Sequence, residues 1–81
     1  MPRSRHSPRY TRLKELLVHA RTDAGLSQVE VAARLGKPQS FVSKYESGER
    51  GLDVVELIEV TAVIGCSPLT LIAALLDEPP S

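Results

Sequence analysis

Tryptophan is absent from this 81-residue chain, and one phenylalanine and two tyrosines are its only aromatic residues, so its core must be aliphatic. A single cysteine, Cys66, excludes an internal disulfide framework and any cysteine-based zinc site. His6 and His19 are the only histidines and cannot assemble a metal site alone. No apolar run approaches the roughly 18 residues of a membrane span, and the first residues lack the apolar stretch of an export signal, so a cytoplasmic protein is expected. Phosphate-cradling glycine loops, HExxH and carboxylate pairs in apolar surroundings are all missing. The one candidate base for Cys66 is His19, placed mid-helix, and the plainer reading of Cys66 is a small core residue ahead of a helix cap. We therefore expect no enzyme, no cofactor, no metal and no small-molecule ligand. What is present is ordinary for one small globular domain: 42% apolar and 25% charged residues. A chain this short buries only about 60% of its unfolded surface, which limits its stability to a few kcal/mol.

The net charge is zero, but its distribution is not even. Up to residue 21, Arg3, Arg5, Arg9, Arg12, Lys14 and Arg21 face Glu15 alone. The middle of the chain is balanced. Beyond residue 50 come Asp53, Glu56, Glu59, Asp77 and Glu78 without a single Lys or Arg. Such separation permits a basic face on a neutral molecule, and association responds to that local field rather than to the sum.

Residues 1–9, with two prolines and three arginines, read as a flexible basic arm. It has two readings: a segment that wraps phosphates or enters the narrow minor groove of DNA, which attracts Arg, or a solvated tail. Residues 10–76 read as one all-α domain and 77–81 as a tail. Leu13, Leu16, Leu17, Ala20 and Ala24 form a stripe at helical spacing that Gly25 ends. Ser27-Gln28-Val29-Glu30 is a capping box opening a short helix that buries Val31, Ala32 and Leu35 and stops at Gly36. After Pro38 a third helix runs from Gln39 to Glu46 with Val42 and Tyr45 inward, and Gly48 closes it. Asp53 and Glu56 cap a fourth, with Leu57, Ile58, Ala62 and Val63 or Ile64 as its buried side. Ser67-Pro68 starts a fifth, carrying Leu69, Ile72, Leu75 and Leu76.

Two short capped helices joined by Gly36-Lys37-Pro38 have the shape of a helix-turn-helix. The second leaves Gln39, Ser40, Ser43, Lys44 and Ser47 outward, with no carboxylate from Gln39 to Tyr45. That face suits the DNA major groove, where Gln pairs with adenine, Lys donates to guanine acceptors and Ser serves either base. A plain solvated face is the competing reading.

The run AGLSQVEVAARLGKPQSFVSKYESGERGLDVVELIEV resembles the Xre-type helix-turn-helix family of phage repressors and Cro-like regulators, and the likeness extends through GCSPLTLIAALL. It implies a compact five-helix bundle of the lambda-repressor-like kind that binds double-stranded operator DNA as a homodimer. On that resemblance Gln39, Ser40, Phe41 and Lys44 are the base-reading positions, with Phe41 either touching a thymine methyl or capping the bundle edge. Ser27, Gln28, Lys37, Ser43, Ser47 and Arg50 would meet phosphates, and the anion preference of helix N-termini gives Gln28 an independent reason. Glu49 and Gly51 supply no charge where a basic residue would strengthen the loop. Arg21 and Glu46 match an internal ion pair.

The fifth helix is apolar nearly all round. Leu69, Leu71, Ile72, Leu75 and Leu76 are more than one small bundle can bury, so a two-fold dimer is expected to cover the surplus. Its recognition helices would lie about 34 Å apart over a pseudo-palindromic operator. The whole reads as a transcriptional regulator, and a repressor is expected. The alternative is an antitoxin-like or anti-repressor module whose fifth helix grips another protein.

Overall fold

A computed structural model describes residues 7–78. Five helices and no strand occur among the described residues: α1 (Pro8–Asp23), α2 (Gln28–Leu35), α3 (Gln39–Ser47), α4 (Val54–Ile64) and α5 (Pro68–Leu76).

Their ends follow from local chemistry. Ser7 accepts a hydrogen bond from the Tyr10 amide (3.0 Å) and Pro8 fills the first helical position, so α1 starts two residues before residue 10, where the sequence places the start of the domain. Arg9 is consequently helical and not part of an arm; Arg3, Arg5 and His6 lie outside the described residues. The capping boxes at α2 and α4 are complete in both directions. At the end of α2, Gly36 takes φ +69°, and the Lys37 amide turns back to the Ala32 carbonyl at 3.0 Å. That left-handed step makes the turn into α3 short, because it consumes the last carbonyls of α2 while reversing the chain.

The core is aliphatic around one tyrosine: Leu13 and Leu17 of α1, Leu26 in the turn before α2, Val31 and Ala32 of α2, Val42 and Tyr45 of α3, Leu57, Val60 and Ile64 of α4, and Leu71 of α5. Two helices bury a different face from the one their sequence suggests. On α4 the inward set is Leu57, Val60, Thr61 and Ile64, whereas Ile58 and Ala62 are exposed. Thr61 can be fully buried because its hydroxyl donates to the Leu57 and Ile58 carbonyls of its own helix, leaving no unmet polar group. On α5 Leu71 points inward with Leu75 half-buried beside it, while Leu69, Ile72 and Leu76 face out.

Long-range polar ties fix the frame. The Leu52 amide donates to the Tyr10 hydroxyl (2.8 Å), pinning the α3–α4 loop to α1. Arg9 donates through Nε to the Leu75 carbonyl (3.1 Å) and through Nη2 to the Glu78 carbonyl (3.0 Å), so the first turn of α1 holds the end of α5. Arg34 donates to the Val63 carbonyl at the end of α4 (2.9 Å).

Candidate nucleic-acid interface

The α2–turn–α3 unit is seated by its apolar residues. Val31, Val42 and Tyr45 are essentially inaccessible to solvent, so α3 is bolted to the bundle along one edge. The opposite edge carries Gln39, Ser40, Ser43, Lys44 and Ser47, all exposed. No side chain caps the start of α3: Pro38 occupies the N-cap and can offer none. The first amides of α3 therefore point outward beside Gln39 and Ser40, an arrangement that favours an anion.

Behind this face lies a polar chain. The Arg21 guanidinium grips Glu46 in a fork, Nε to Oε2 at 2.7 Å and Nη2 to Oε1 at 3.1 Å, and its Nη1 reaches the Leu26 carbonyl at 2.9 Å. This is the internal pair that the family resemblance implies; the Glu46 side chain is only 6% exposed. Its hydrogen bond to Glu46 raises the Arg21 pKa above its already high ordinary value. Gln28, the first residue of α2, donates from Nε2 to Glu46 Oε1 at 2.9 Å. Gln39, the first residue of α3, donates from Nε2 to Gln28 Oε1 at 3.1 Å. Spacing alone does not reveal these amide links; the signal available was a glutamine at the first position of both helices.

Other expected contact residues sit differently. The Ser27 amide is occupied by the Glu30 carboxylate (2.8 Å), which is held below the usual carboxylate range chiefly by that N–H. An anion approaching α2 thus meets the Gln28 side chain rather than the Ser27 backbone. Phe41 is drawn towards the protein, edge-on to Tyr45 with ring centroids 5.7 Å apart. Its faces carry the Lys37 ammonium at 5.4 Å and the Arg50 guanidinium at 4.8 Å. Arg50 is held from behind by Glu56, Nη1 to Oε1 at 3.2 Å and Nη2 to Oε2 at 3.0 Å. Arg50 and then the Asp53 amide hold the Glu56 carboxyl below its ordinary range. Arg50 and Phe41 are in this way a brace for the α3–α4 loop. Lys37, ahead of α3, and Lys44, on it, are both exposed.

On α5, Leu71 is consumed by the core and is not available to a partner, a correction to the expected dimer surface. Leu69, Ile72 and Leu76 form an outward stripe at spacings of three and four, and Leu75 packs from the side. Cys66 is partly buried and burial pushes its thiol pKa up, the opposite of what an activated nucleophile requires.

A helix seated by its apolar edge, following a tight glycine turn and offering a carboxylate-free polar edge, defines a helix-turn-helix protein. The helix-turn-helix family model matches residues 17–71. An uncharacterized HTH-type transcriptional regulator, y4dJ, of Sinorhizobium fredii is 38% identical over 60 residues, covering 74% of this chain and 77% of that protein. The solved structure of an XRE-family like protein from Pseudomonas syringae pv. tomato is 51% identical, with a TM-score of 0.84 over 88% of this chain and 87% of that one. The chain belongs to the Xre-type helix-turn-helix family of DNA-binding transcription regulators. No helix among the described residues is long and apolar enough to cross a membrane.

Proposed function

We propose that this chain is a sequence-specific, cytoplasmic repressor that binds a pseudo-palindromic operator as a homodimer and acts by occupancy, without catalysis, cofactor or small-molecule inducer. The observation that carries the reading is the outward edge of α3. Gln39, Ser40 and Lys44 would read base edges in the major groove. Ser43, Lys37 and the Gln28 amide would meet flanking phosphates, which set register without reading sequence, and Ser47 would join them only by giving up the bond from its hydroxyl to the Lys44 carbonyl (3.1 Å). Gln28 keeps one N–H beyond its bond to Glu46, enough for a phosphate oxygen. Phe41 and Arg50 serve this site by bracing the loop; Arg50 reaches a phosphate only at the expense of its fork with Glu56.

The dimer reading rests on the Leu69–Ile72–Leu76 stripe, three large apolar residues that water contacts on one helix face. Selection of binding sites from random duplexes at a fixed salt concentration tests both halves. A single two-fold motif with half-sites one DNA turn apart is the expected result, and Lys44→Ala should abolish its enrichment while leaving the oligomer intact. Absence of any enriched motif would sink the reading.

A second reading is favoured by a different observation. Val54, Val55 and Ile58 leave an apolar strip on the outer face of α4. In an antitoxin-like or anti-repressor module that strip, with α5, would hold a protein partner and DNA affinity would be missing.

A further inference from the structure

The interface contains a carboxylate that no DNA could usefully approach, yet it is tied through two amides to the first exposed side chain of α3. We infer that Glu46 is a positioning residue that sets which base Gln39 accepts, by fixing the direction in which the Gln28 and Gln39 amides point. This rests on the DNA-reading role proposed for α3 and deepens it.

The logic follows from donor and acceptor inventories. Glu46 is sheltered from water and forked by Arg21 at 2.7 and 3.1 Å, so it is a carboxylate that only accepts. Arg21 is in turn immobilised by the Leu26 carbonyl. Gln28 must therefore turn its NH2 to Glu46, as it does at 2.9 Å. Its carbonyl oxygen is then the atom presented to Gln39, which must answer with its own NH2, at 3.1 Å. One hydrogen of Gln39 Nε2 is used in that bond. Left facing outward are its carbonyl oxygen and one N–H, an acceptor next to a donor. Adenine offers the complement in the major groove, the N6 amino group beside N7.

Reversal of the chain would change the outcome. Were Gln28 turned round, Gln39 would give its oxygen to Gln28 and present an NH2 to the groove, which matches the two acceptors of guanine. A free glutamine side chain has no preference between these states, because its two ends are nearly equal in size. The buried carboxylate supplies the asymmetry two residues away from the base. The ion pair of Arg21 and Glu46 thereby acts on specificity as well as on the packing of α1 against α3.

The test is base preference at the position under Gln39, measured by competition between duplexes differing only there. The wild-type chain should favour adenine over guanine by roughly five- to 150-fold, the range for one bidentate contact. Glu46→Gln replaces the acceptor-only group with an amide able to face either way, and the preference should fall to within about twofold. Gln28→Leu breaks the chain and takes one donor from Glu46 but keeps the Arg21–Glu46 fork, so it answers the question should Glu46→Gln fail to fold; it too should level adenine and guanine. Weaker phosphate contact lowers affinity for both duplexes alike and leaves their ratio unmoved. Combining Gln28→Glu with Glu46→Gln moves the carboxylate one step along the chain, again forcing Gln39 to donate inward, and should restore the adenine preference. If wild type discriminates and both single variants keep the same ratio, the relay is refuted while the DNA-reading role stands. If wild type binds no duplex selectively, the DNA-reading role fails and the relay falls with it.

Discussion

Tyr45 is the largest residue wholly inside the fold, at 1% exposure, and its hydroxyl is the one buried side-chain polar atom among the described residues without a hydrogen-bond partner. Removing that oxygen with Tyr45→Phe should stabilise the protein. Leaving a buried polar group unsatisfied costs about 1–3 kcal/mol, whereas the dispersion contacts of one oxygen are worth a few tenths. The ring keeps its edge-on contact with Phe41. A net gain of about 1 kcal/mol follows, equivalent to an upward shift of about 4–8 °C in Tm for a domain of this size. Urea denaturation followed by circular dichroism should show a higher midpoint with an unchanged slope. Alkaline titration provides an independent check. Burial pushes the Tyr45 phenol well above its ordinary pKa, so the folded state retains a proton that the unfolded chain loses near pH 10. The stabilisation is therefore complete below about pH 10 and declines above it, by up to about 1.4 kcal/mol per pH unit. Tyr45→Phe should lack that decline, and Tyr10, common to both proteins, cancels in the comparison. A variant less stable than wild type by 0.5 kcal/mol or more (on the order of one lost hydrogen bond) would show that the hydroxyl is satisfied and the reasoning wrong.

Gly48 sits at φ +86°, and a Cβ there would come within 2.8 Å of Lys14 Nζ. Gly48→Ala should therefore lose about 1–2 kcal/mol from the left-handed backbone alone, and unchanged urea stability would mean the loop relaxes freely. Arg9→Met keeps the side-chain stem but removes both donors to the end of α5; a loss of about 1.5 kcal/mol is expected, at the low end for charged donors because the site is half-exposed. Amide exchange should accelerate in the last turn of α5, and protection equal to wild type would contradict the clamp. Leu69→Glu together with Leu76→Glu alters residues 74% and 70% exposed, so stability of the single chain should shift by no more than about 0.5 kcal/mol per site. Sedimentation should report a monomer in place of the proposed dimer, and a persistent dimer would move the interface elsewhere.

Helix ends were the most legible part of the sequence because their chemistry is local. Ser27 with Glu30, Asp53 with Glu56, and the glycines at 36 and 48 each act within a few residues of themselves. Face assignment failed where a polar side chain could satisfy itself: Thr61 bonds back to its own helix, so Val60 and Thr61 turn inward and displace Ile58 and Ala62. On α5 nearly every position is apolar, and a pattern without contrast cannot say which face is inside. Arg9 was invisible for another reason, since its partners are backbone carbonyls more than sixty positions away. At the interface, the outward set on α3 was readable from periodicity because Val42 and Tyr45 leave no other orientation. Sequence could not show that Arg50 is claimed by Glu56 and Phe41, a three-body arrangement across a loop.

The Arg9 clamp also says something about connectivity. One guanidinium reaches from the first turn of α1 to the Glu78 carbonyl, so the two described ends of the backbone meet at the same pole of the bundle. Cyclic order is then separable from architecture: a linker of a few residues could join Glu78 to Ser7, and the ring could be reopened in the Gly65–Ser67 turn, whose two outer residues are exposed. Such a circular permutant would begin with α5 and end with α4, carrying the α2–α3 unit uninterrupted in its middle.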